Sequence, residues 1–200
     1  MTITSTDKEV PEGGIEYIDD IIIRKAQTTD AKYVYIILKQ MAASAIQRGS
    51  GIAYRTVESI LQKMDAGKAI IAVTADGTWV GFSYIESWQD GKFVSNSGMI
   101  VSPDFRNKGV AKAIKQQTFN LSREMHPNAD VFSITSGLAV MRLNTALGFE
   151  PVPYSEITTD KSFWAGCKHC VNHGILESQN YKNCLCTAML FHGEGLHAKS

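Results

Sequence analysis

The stretch Val101-Ser-Pro-Asp-Phe-Arg-Asn-Lys-Gly-Val-Ala111 joins the end of an apolar strand to the start of a helix through a short polar turn. The first turn of a helix leaves backbone N–H groups unpaired, and the helix dipole adds partial positive charge there. Gly109 and Ala111 lack bulk, so an anion can approach the backbone closely. Arg106 and Lys108 add positive charge at the rim. The turn therefore predicts a site for a phosphate or pyrophosphate.

An ordinary strand–helix turn that binds nothing is the alternative interpretation, because an Arg-x-x-Gly-x-Ala pattern is weak when it stands alone. The turn is not a dinucleotide fingerprint, since the three-glycine spacing is missing. It is not a Walker A loop either, since no Gly-Lys-Ser/Thr follows. The surrounding elements therefore have to decide between the two interpretations.

Hydrophobic periodicity predicts two helices and three antiparallel strands between a first strand and the turn, and alternating helices and strands after it. The joining segments Ala75-Asp-Gly77 and Gln89-Asp-Gly91 are hairpin signals of the Asp-Gly kind. The predicted order β-α-α-β-β-β-α-β-α-β-β is an α+β fold, a mixed, mostly antiparallel twisted sheet flanked by helices. The predicted strands cover residues 21–26, 69–74, 78–88, 92–101, 131–135, 150–157 and 185–192, and the predicted helices cover 31–48, 54–64, 106–125 and 139–147.

The composition limits the classes of protein to which the chain can belong. The 200 residues and the 44% hydrophobic content suit a single domain with a real core. The 20 basic residues equal the 20 acidic ones, which gives no electrostatic footprint for nucleic acid or for an anionic membrane surface. No apolar stretch approaches the roughly 20 residues that span a bilayer, and no secretory signal pattern is visible. We therefore expect a cytoplasmic protein with a flexible tail over residues 1–16, a single domain over 17–200, and a cysteine-rich insertion at about 160–186.

The sequence is similar to the GNAT N-acetyltransferase superfamily at two places. The turn quoted above resembles motif A of that superfamily, which reads Arg or Gln, two residues, Gly, one residue, and Gly or Ala. The segment Asn144-Thr-Ala-Leu-Gly-Phe149 resembles its second signature, a short helix that ends in Leu-Gly-Phe. The predicted element order also agrees from residue 21 to about residue 157. The resemblance implies a GNAT-like sheet and an acyltransferase that uses acetyl-CoA or another acyl-CoA as cosubstrate.

The resemblance also implies which residues hold coenzyme A. The pyrophosphate would bind the Arg106 side chain and the backbone amides of the turn, and the pantetheine arm would pair with the edge of the preceding strand. One of these amides would stabilise the oxyanion of a tetrahedral intermediate. The implied cofactor-binding residues are Met99, Ile100, Val101, Arg106, Asn107, Lys108, Gly109, Val110, Ala111 and Asn144.

The catalytic groups depart from the family pattern. A neutral amine must attack the thioester, so a base has to remove a proton, and an acid can help the thiolate leave. Residues 93–101 carry no carboxylate, and Glu86 on the neighbouring strand is the candidate base, with a solvated edge residue as the alternative. Asn144 stands where relatives often place a Tyr. Tyr154 could replace that Tyr from the next strand, with a core aromatic as the alternative.

The connection between the first two helices commonly lines the acceptor site in the family. Its candidate substrate-binding residues are Arg48, Tyr54 and Arg55. Two arginines beside a glycine-rich bend can clamp a carboxylate in bidentate fashion. This pattern favours a free amino acid such as glutamate over a protein lysine, and a solvated loop with surface arginines is the alternative.

Four cysteines form two pairs, Cys167-Lys-His-Cys170 and Cys184-Leu-Cys186. Brought together, they would satisfy a tetrahedral zinc site, with His169 and His173 as substitute ligands. A redox dithiol and unliganded buried cysteines are the competing interpretations.

The sequence thus predicts an N-acyltransferase that moves an acetyl or similar acyl group from acyl-CoA to the amine of a small molecule by direct attack. A narrower version is the N-acylation of an amino acid such as glutamate, as in arginine biosynthesis. A CoA-binding sensor of metal or thiol oxidation without catalysis is the alternative of another class, motivated by the missing strand carboxylate and Tyr. We expect a small-molecule partner, no nucleic acid and no membrane, and a homodimer is left open.

Overall fold

The computed structural model describes residues 14–47, 49 and 55–193. They form one eight-stranded sheet with the strand order β1-β2-β3-β4-β5-β6-β8-β7. All neighbouring strands pair in antiparallel fashion except β5 and β6, which are parallel. The strands are β1 (Glu16–Ile18), β2 (Ile21–Lys25), β3 (Ala69–Thr74), β4 (Trp79–Trp88), β5 (Phe93–Val101), β6 (Asp130–Thr135), β7 (Glu150–Val152) and β8 (Thr187–Phe191).

Helices cover both faces of this sheet. The α-helices are α1 (Val34–Gln47), α2 (Val57–Asp65), α3 (Val110–Met125), α4 (Leu138–Ala146), α5 (Lys161–Ala165) and α6 (His173–Ser178). Short 3-10 helices lie at Thr28–Tyr33, Pro103–Phe105, Tyr154–Glu156 and Gly166–His169. The predicted α+β class and the mostly antiparallel sheet are confirmed. Within the described ranges, no helix is long and apolar enough to cross a membrane.

Several boundaries differ from the predicted ones for local reasons. Glu16 lies in β1, so the sheet begins inside the predicted tail; residues 1–13 lie outside the described part of the chain. The third helix starts at Val110 rather than at residue 106, because Arg106 is extended and Gly109 has φ +82°. The strand predicted over 150–157 ends at Val152, because Pro153 leads into a 3-10 helix.

Two hydrophobic clusters lie on opposite faces of the first five strands. One packs α3 against the sheet, with Ile114 and Leu121 buried beside Val94. The other packs α1 and α2 against the opposite face, with Ile37 and Ile60 beside Phe82. Alternation along each strand separates these two sets of side chains.

The predicted insertion over residues 160–186 contains two short helices and packs as a third cluster. Its aromatic rings cover β6 and β8, and Phe163 stacks edge-on against Trp88 of β4 at 5.3 Å between ring centroids. Trp88 lies an even number of residues after Phe82 and Tyr84, so all three side chains point to the same face of β4. The insertion therefore shares the face of the sheet that carries α1 and α2.

Lys115 is a charged residue inside the α3 face. Its side chain is 2% exposed, its Nζ donates to Asn96 Oδ1 at 2.9 Å, and it lies 4.7 Å from the centroid of the Phe149 ring. These partners are neutral, so they do not compensate for the lost hydration of an ammonium group. Burial lowers the pKa of Lys115 from its ordinary 10.5 to about 7.

We predict that this burial makes stability depend on pH above neutrality. At pH values between the lowered pKa of Lys115 in the folded state and its ordinary pKa in the unfolded state, the unfolded chain binds more protons than the folded chain. The free energy of unfolding should then rise with pH from about 7 to 10, by a few kcal/mol. Urea denaturation across this range checks the slope. Lys115→Met should flatten it, whereas Lys112→Met, at an exposed position of the same helix, should keep it; equal slopes in both variants would contradict the assignment.

Candidate active site

The turn between β5 and α3 exposes backbone at the start of a long helix. Asn107 has φ +62° and Gly109 has φ +82°, so two left-handed residues flank Lys108 and bend the chain sharply. Residues 106–109 are exposed, and in the described part of the chain no side chain caps the N-terminus of α3. Unpaired N–H groups at a helix start attract anions. The turn thus has an exposed, uncapped helix start, which is the backbone arrangement on which the prediction of an anion site rests.

Arg106 is anchored beside this turn. Its Nε donates to the carbonyl oxygen of Val101, the last residue of β5, at 3.3 Å. Lys108 Nζ lies 5.3 Å from the centroid of the Phe105 ring. Both cations therefore stay at the junction between the end of β5 and the start of α3.

Strand β5 separates from β6 on its way to this turn. The parallel register between them joins Phe93–Ser95 to Asp130–Phe132 and ends there in the described residues, while β5 continues to Val101. The edge of β5 beyond Ser95 therefore faces a wedge-shaped opening. Met99, Ile100 and Val101, the predicted pantetheine-binding residues, lie on this edge.

A β-bulge occurs at the same place on the other side of β5. Ser97 pairs with Tyr84 and Ile100 pairs with Phe82, so Gly98 and Met99 together oppose Ser83. Gly98 has φ +65°, and a Cβ there would lie 2.5 Å from Cε1 of Tyr84. Only glycine fits both the backbone angle and the space. The bulge was missed in the sequence, although a glycine inside a strand pattern is a signal for one.

Arg55 reaches the ring beside this bulge. Its Nε donates to Tyr84 Oη at 2.6 Å, and its guanidinium carbon lies 5.5 Å from the centroid of the Tyr84 ring. Because the same ring packs against Gly98, the end of the α1–α2 connection lies next to the opening. Tyr84 was missed in the sequence. Arg48 and Tyr54, the other predicted substrate-binding residues, lie outside the described residues.

Glu86, the candidate base, lies on the same face of β4 as Tyr84. It forms ion pairs with Lys63 of α2 and, at 3.1 Å, with Lys68 just before β3. Its side chain is 19% exposed. The carboxylate thus lies on the face of β4 that carries Tyr84 and is held by two lysines.

Tyr154, the candidate acid, and Asn144, which stands where relatives often place a Tyr, lie deeper in the protein. Tyr154 Oη donates to the carbonyl oxygen of Cys186 at 2.8 Å, and burial together with neighbouring thiols raises the Tyr154 pKa far above its ordinary value. Asn144 of α4 is fully buried, and its Nδ2 contacts Met189 Sδ at 3.5 Å. Among the described residues, Asn144 Oδ1 has no hydrogen-bond partner. Tyr154 belongs to the cluster under the cysteine-rich segment, whereas Glu86 pairs with Lys63 and Lys68.

The comparison with known families agrees with this geometry. The acetyltransferase (GNAT) family model matches residues 53–149, which include the bulge, the anion-binding turn and the Leu-Gly-Phe segment. Residues 53–149 form a domain of the GNAT superfamily, a family of acetyltransferases. No curated protein matches the chain by sequence.

Solved GNAT structures share the fold at low sequence identity. N-acetylglutamate synthase from Neisseria gonorrhoeae, complexed with coenzyme A and N-acetyl-glutamate, matches with a TM-score of 0.60 at 13% identity, over 86% of this chain and 35% of the synthase chain. A Mycobacterium tuberculosis protein in complex with CoA and NLQ matches with a TM-score of 0.59 at 18% identity, over 85% of this chain and 98% of its own. A putative acetyltransferase from Salmonella typhimurium with acetyl-CoA matches with a TM-score of 0.59 at 16% identity, over 91% of this chain and 99% of its own. This GNAT chain thus spans about a third of the gonococcal synthase.

We predict that Arg106→Ala weakens CoA binding about tenfold or more, because a hydrogen bond to a charged group contributes roughly 1.5–3 kcal/mol. Isothermal titration with CoA at low and high salt measures the effect. The variant should also lose part of the salt dependence, since one phosphate contact is gone. Lys161→Ala removes one exposed positive charge on α5 and serves as the control. Equal affinities of the two variants for CoA would show that Arg106 does not bind the cofactor.

We predict that Gly98→Ala lowers both stability and turnover. The left-handed backbone alone costs a non-glycine residue about 1–2 kcal/mol, and the new methyl group would overlap the Tyr84 ring. Gly174→Ala is the matched control, because a Cβ on Gly174 meets no atom within 4 Å. Urea denaturation and the rate of thiol release measure the two effects, and similar values for both variants would show that the bulge is dispensable.

Proposed function

We propose that this GNAT protein transfers an acyl group, acetyl in the simplest case, from acyl-CoA to the amine of a small molecule by direct attack on the thioester. The wedge between β5 and β6 carries this proposal. It lies between an anion-binding turn at one end and the bulge with Arg55 and Tyr84 at the other. A long cofactor with a pyrophosphate and a linear arm fits that layout, and its reactive end would then meet the acceptor side.

The cofactor contacts follow from the same layout. The backbone amides from Asn107 to Ala111 and the Arg106 side chain would hold the pyrophosphate. The free edge of β5 at Met99, Ile100 and Val101 would pair with the amides of the pantetheine arm, since an unpaired strand edge offers N–H and C=O groups in sequence. The residues displaced by the bulge would direct a backbone amide toward the thioester oxygen, where a donor stabilises the oxyanion.

A carboxylate on the acceptor is favoured by Arg55. An arginine that lies beside a tyrosine hydroxyl at 2.6 Å presents a fixed planar group, and such a group binds a carboxylate in two parallel hydrogen bonds. We therefore propose an amino acid, with glutamate as the first candidate, as the acceptor. Arg48 and Tyr54 stay candidates for the same site. The gonococcal structure with N-acetyl-glutamate supports this acceptor class by the likeness of the fold.

Glu86 remains the proposed base, acting directly or through water. Lys63 and Lys68 hold its carboxylate in place, and a substrate ammonium group would bind there in competition with them. Tyr154 is a poor acid, because its hydroxyl is already donated to Cys186 and its pKa is raised. Positioning of the amine and the thioester would then supply much of the rate acceleration.

The test measures thiol release from acetyl-CoA and succinyl-CoA with a panel of amino acids and polyamines. We expect turnover with an acidic amino acid. Arg55→Ala should raise the KM of that acceptor about tenfold or more, because a charged hydrogen bond is lost, and should leave the KM of acyl-CoA nearly unchanged. Lys39→Ala, at an exposed position of α1, should change neither value.

Two outcomes would contradict parts of the proposal. An unchanged acceptor KM in Arg55→Ala would exclude the carboxylate clamp but would leave the acyltransferase intact. Tight CoA binding without turnover on any acceptor would favour a non-catalytic CoA-binding sensor instead.

A further inference from the structure

The structure brings the four cysteines of the chain together around one cavity. The cavity has a volume of about 40 Å³, and Cys167, Cys170, Cys184 and Cys186 line it together with Asn172 and His173. All four cysteines are free and partly buried. The two cysteine pairs, far apart along the chain, thus meet at one place rather than forming two separate dithiols.

The local fold explains this meeting. Cys167 lies within the 3-10 helix Gly166–His169, and Cys170 follows it with its backbone N–H donating to the Cys167 carbonyl at 2.9 Å. Cys184 and Cys186 lie on the irregular segment just before β8, on either side of the exposed Leu185. The Tyr154 hydrogen bond to the Cys186 carbonyl holds that segment against the cluster.

Polar groups around the cavity suit thiolate ligands. The backbone N–H of Asn172 donates to Cys170 Sγ at 3.4 Å, a bond that strengthens when the sulfur carries negative charge. Nε2 of His173 is buried and has no hydrogen-bond partner among the described residues. A buried polar atom without a partner costs free energy unless the site gains an additional group.

A positive charge lies close to the cluster, because Arg55 acts electrostatically on Cys167. A bound metal ion deprotonates the thiols that coordinate it, so the four sulfurs would carry negative charge in the metal-bound state.

We propose that the four cysteines bind one zinc ion in a tetrahedral, structural site that fastens the segment 167–186 to the start of β8. Binding exchanges the four thiol protons for the metal, with no oxidation or reduction, and leaves a complex with net charge −2. Zinc–sulfur bonds of about 2.3 Å require sulfurs about 3.8 Å apart. Arg55 lies near enough to offset part of the negative charge.

The thiols surround the cavity without forming a finished ligand set. Within the described ranges, no three His, Cys, Asp or Glu side chains are placed to hold a metal ion. Binding therefore requires rotation of cysteine side chains toward the centre of the cavity. Each Sγ moves on a single side-chain torsion, so this adjustment needs no change of the sheet.

The experiment uses the full chain, purified under reducing conditions without chelators, and does not depend on turnover. We expect about one zinc per chain by mass spectrometric metal analysis. Replacement by cobalt should give thiolate-to-cobalt charge transfer in the near ultraviolet and the visible bands of tetrahedral cobalt. Cys170→Ser and Cys184→Ser, one from each pair, should each weaken cobalt binding about a hundredfold or more. Lys168→Ala, exposed between the two cysteines of the first pair, should bind like the unmodified chain.

Three results would overturn the proposal. One is a chain without zinc that gives no cobalt spectrum while all four thiols react at once with a thiol reagent. Another is a disulfide among the four cysteines in protein purified without oxidant, which would establish a redox pair. The third is loss of cobalt binding in His173→Asn. That result would show that the imidazole of His173, rather than one of the four thiolates, is a metal ligand. Because the spectra are recorded on the unmodified chain, a variant that fails to fold does not decide the question.

Discussion

The site depends on the local geometry of β5. A strand that bonds to neighbours on both sides has no free backbone groups to offer a ligand. The bulge at Gly98 turns the strand, and the parallel pairing with β6 ends just before it. The backbone groups beyond Ser95 are thereby available on one side, while β4 still holds the other side in place. The long strand β4 and α3 pack against β5 here, and a preformed binding edge loses little conformational entropy when a ligand binds.

The two faces of the sheet carry different groups. On one face α3 packs a buried core and begins at the turn that we propose for the pyrophosphate. On the other face the side chains of β4 run from Phe82 past Tyr84 and Glu86 to Trp88, and so connect the α1–α2 side with the cysteine-rich segment. The cysteine-rich segment therefore contacts this side of the protein through packed aromatic rings, and the charge of Arg55 lies near Cys167.

Much of the fold could be predicted from the sequence, because the strands and helices carry strong hydrophobic periods and the hairpins carry Asp-Gly turns. The sharp turn before α3 could also be predicted, since its residues are contiguous, and its role as an anion site stays a prediction. The Arg55–Tyr84 contact was not, because it joins residues from two elements and depends on their packing. The ion pairs of Glu86 and the hydrogen bond of Tyr154 were hidden for the same reason. The short helices between 161 and 178 were missed because they owe their form to aromatic packing on β6 and β8 rather than to a period in their own sequence.

The position of β8 has a consequence for how the chain folds. This strand is the last one along the described part of the chain, yet it lies between β6 and β7 in the sheet, and it pairs Phe132 with Leu190 across a long separation in sequence. Pairing of distant residues carries an entropic cost, because the intervening loop must close. The segment 153–186 is the loop that joins β7 to β8. Since this segment packs into a compact unit, it shortens the flexible loop that has to close and so lowers the entropic cost of inserting β8.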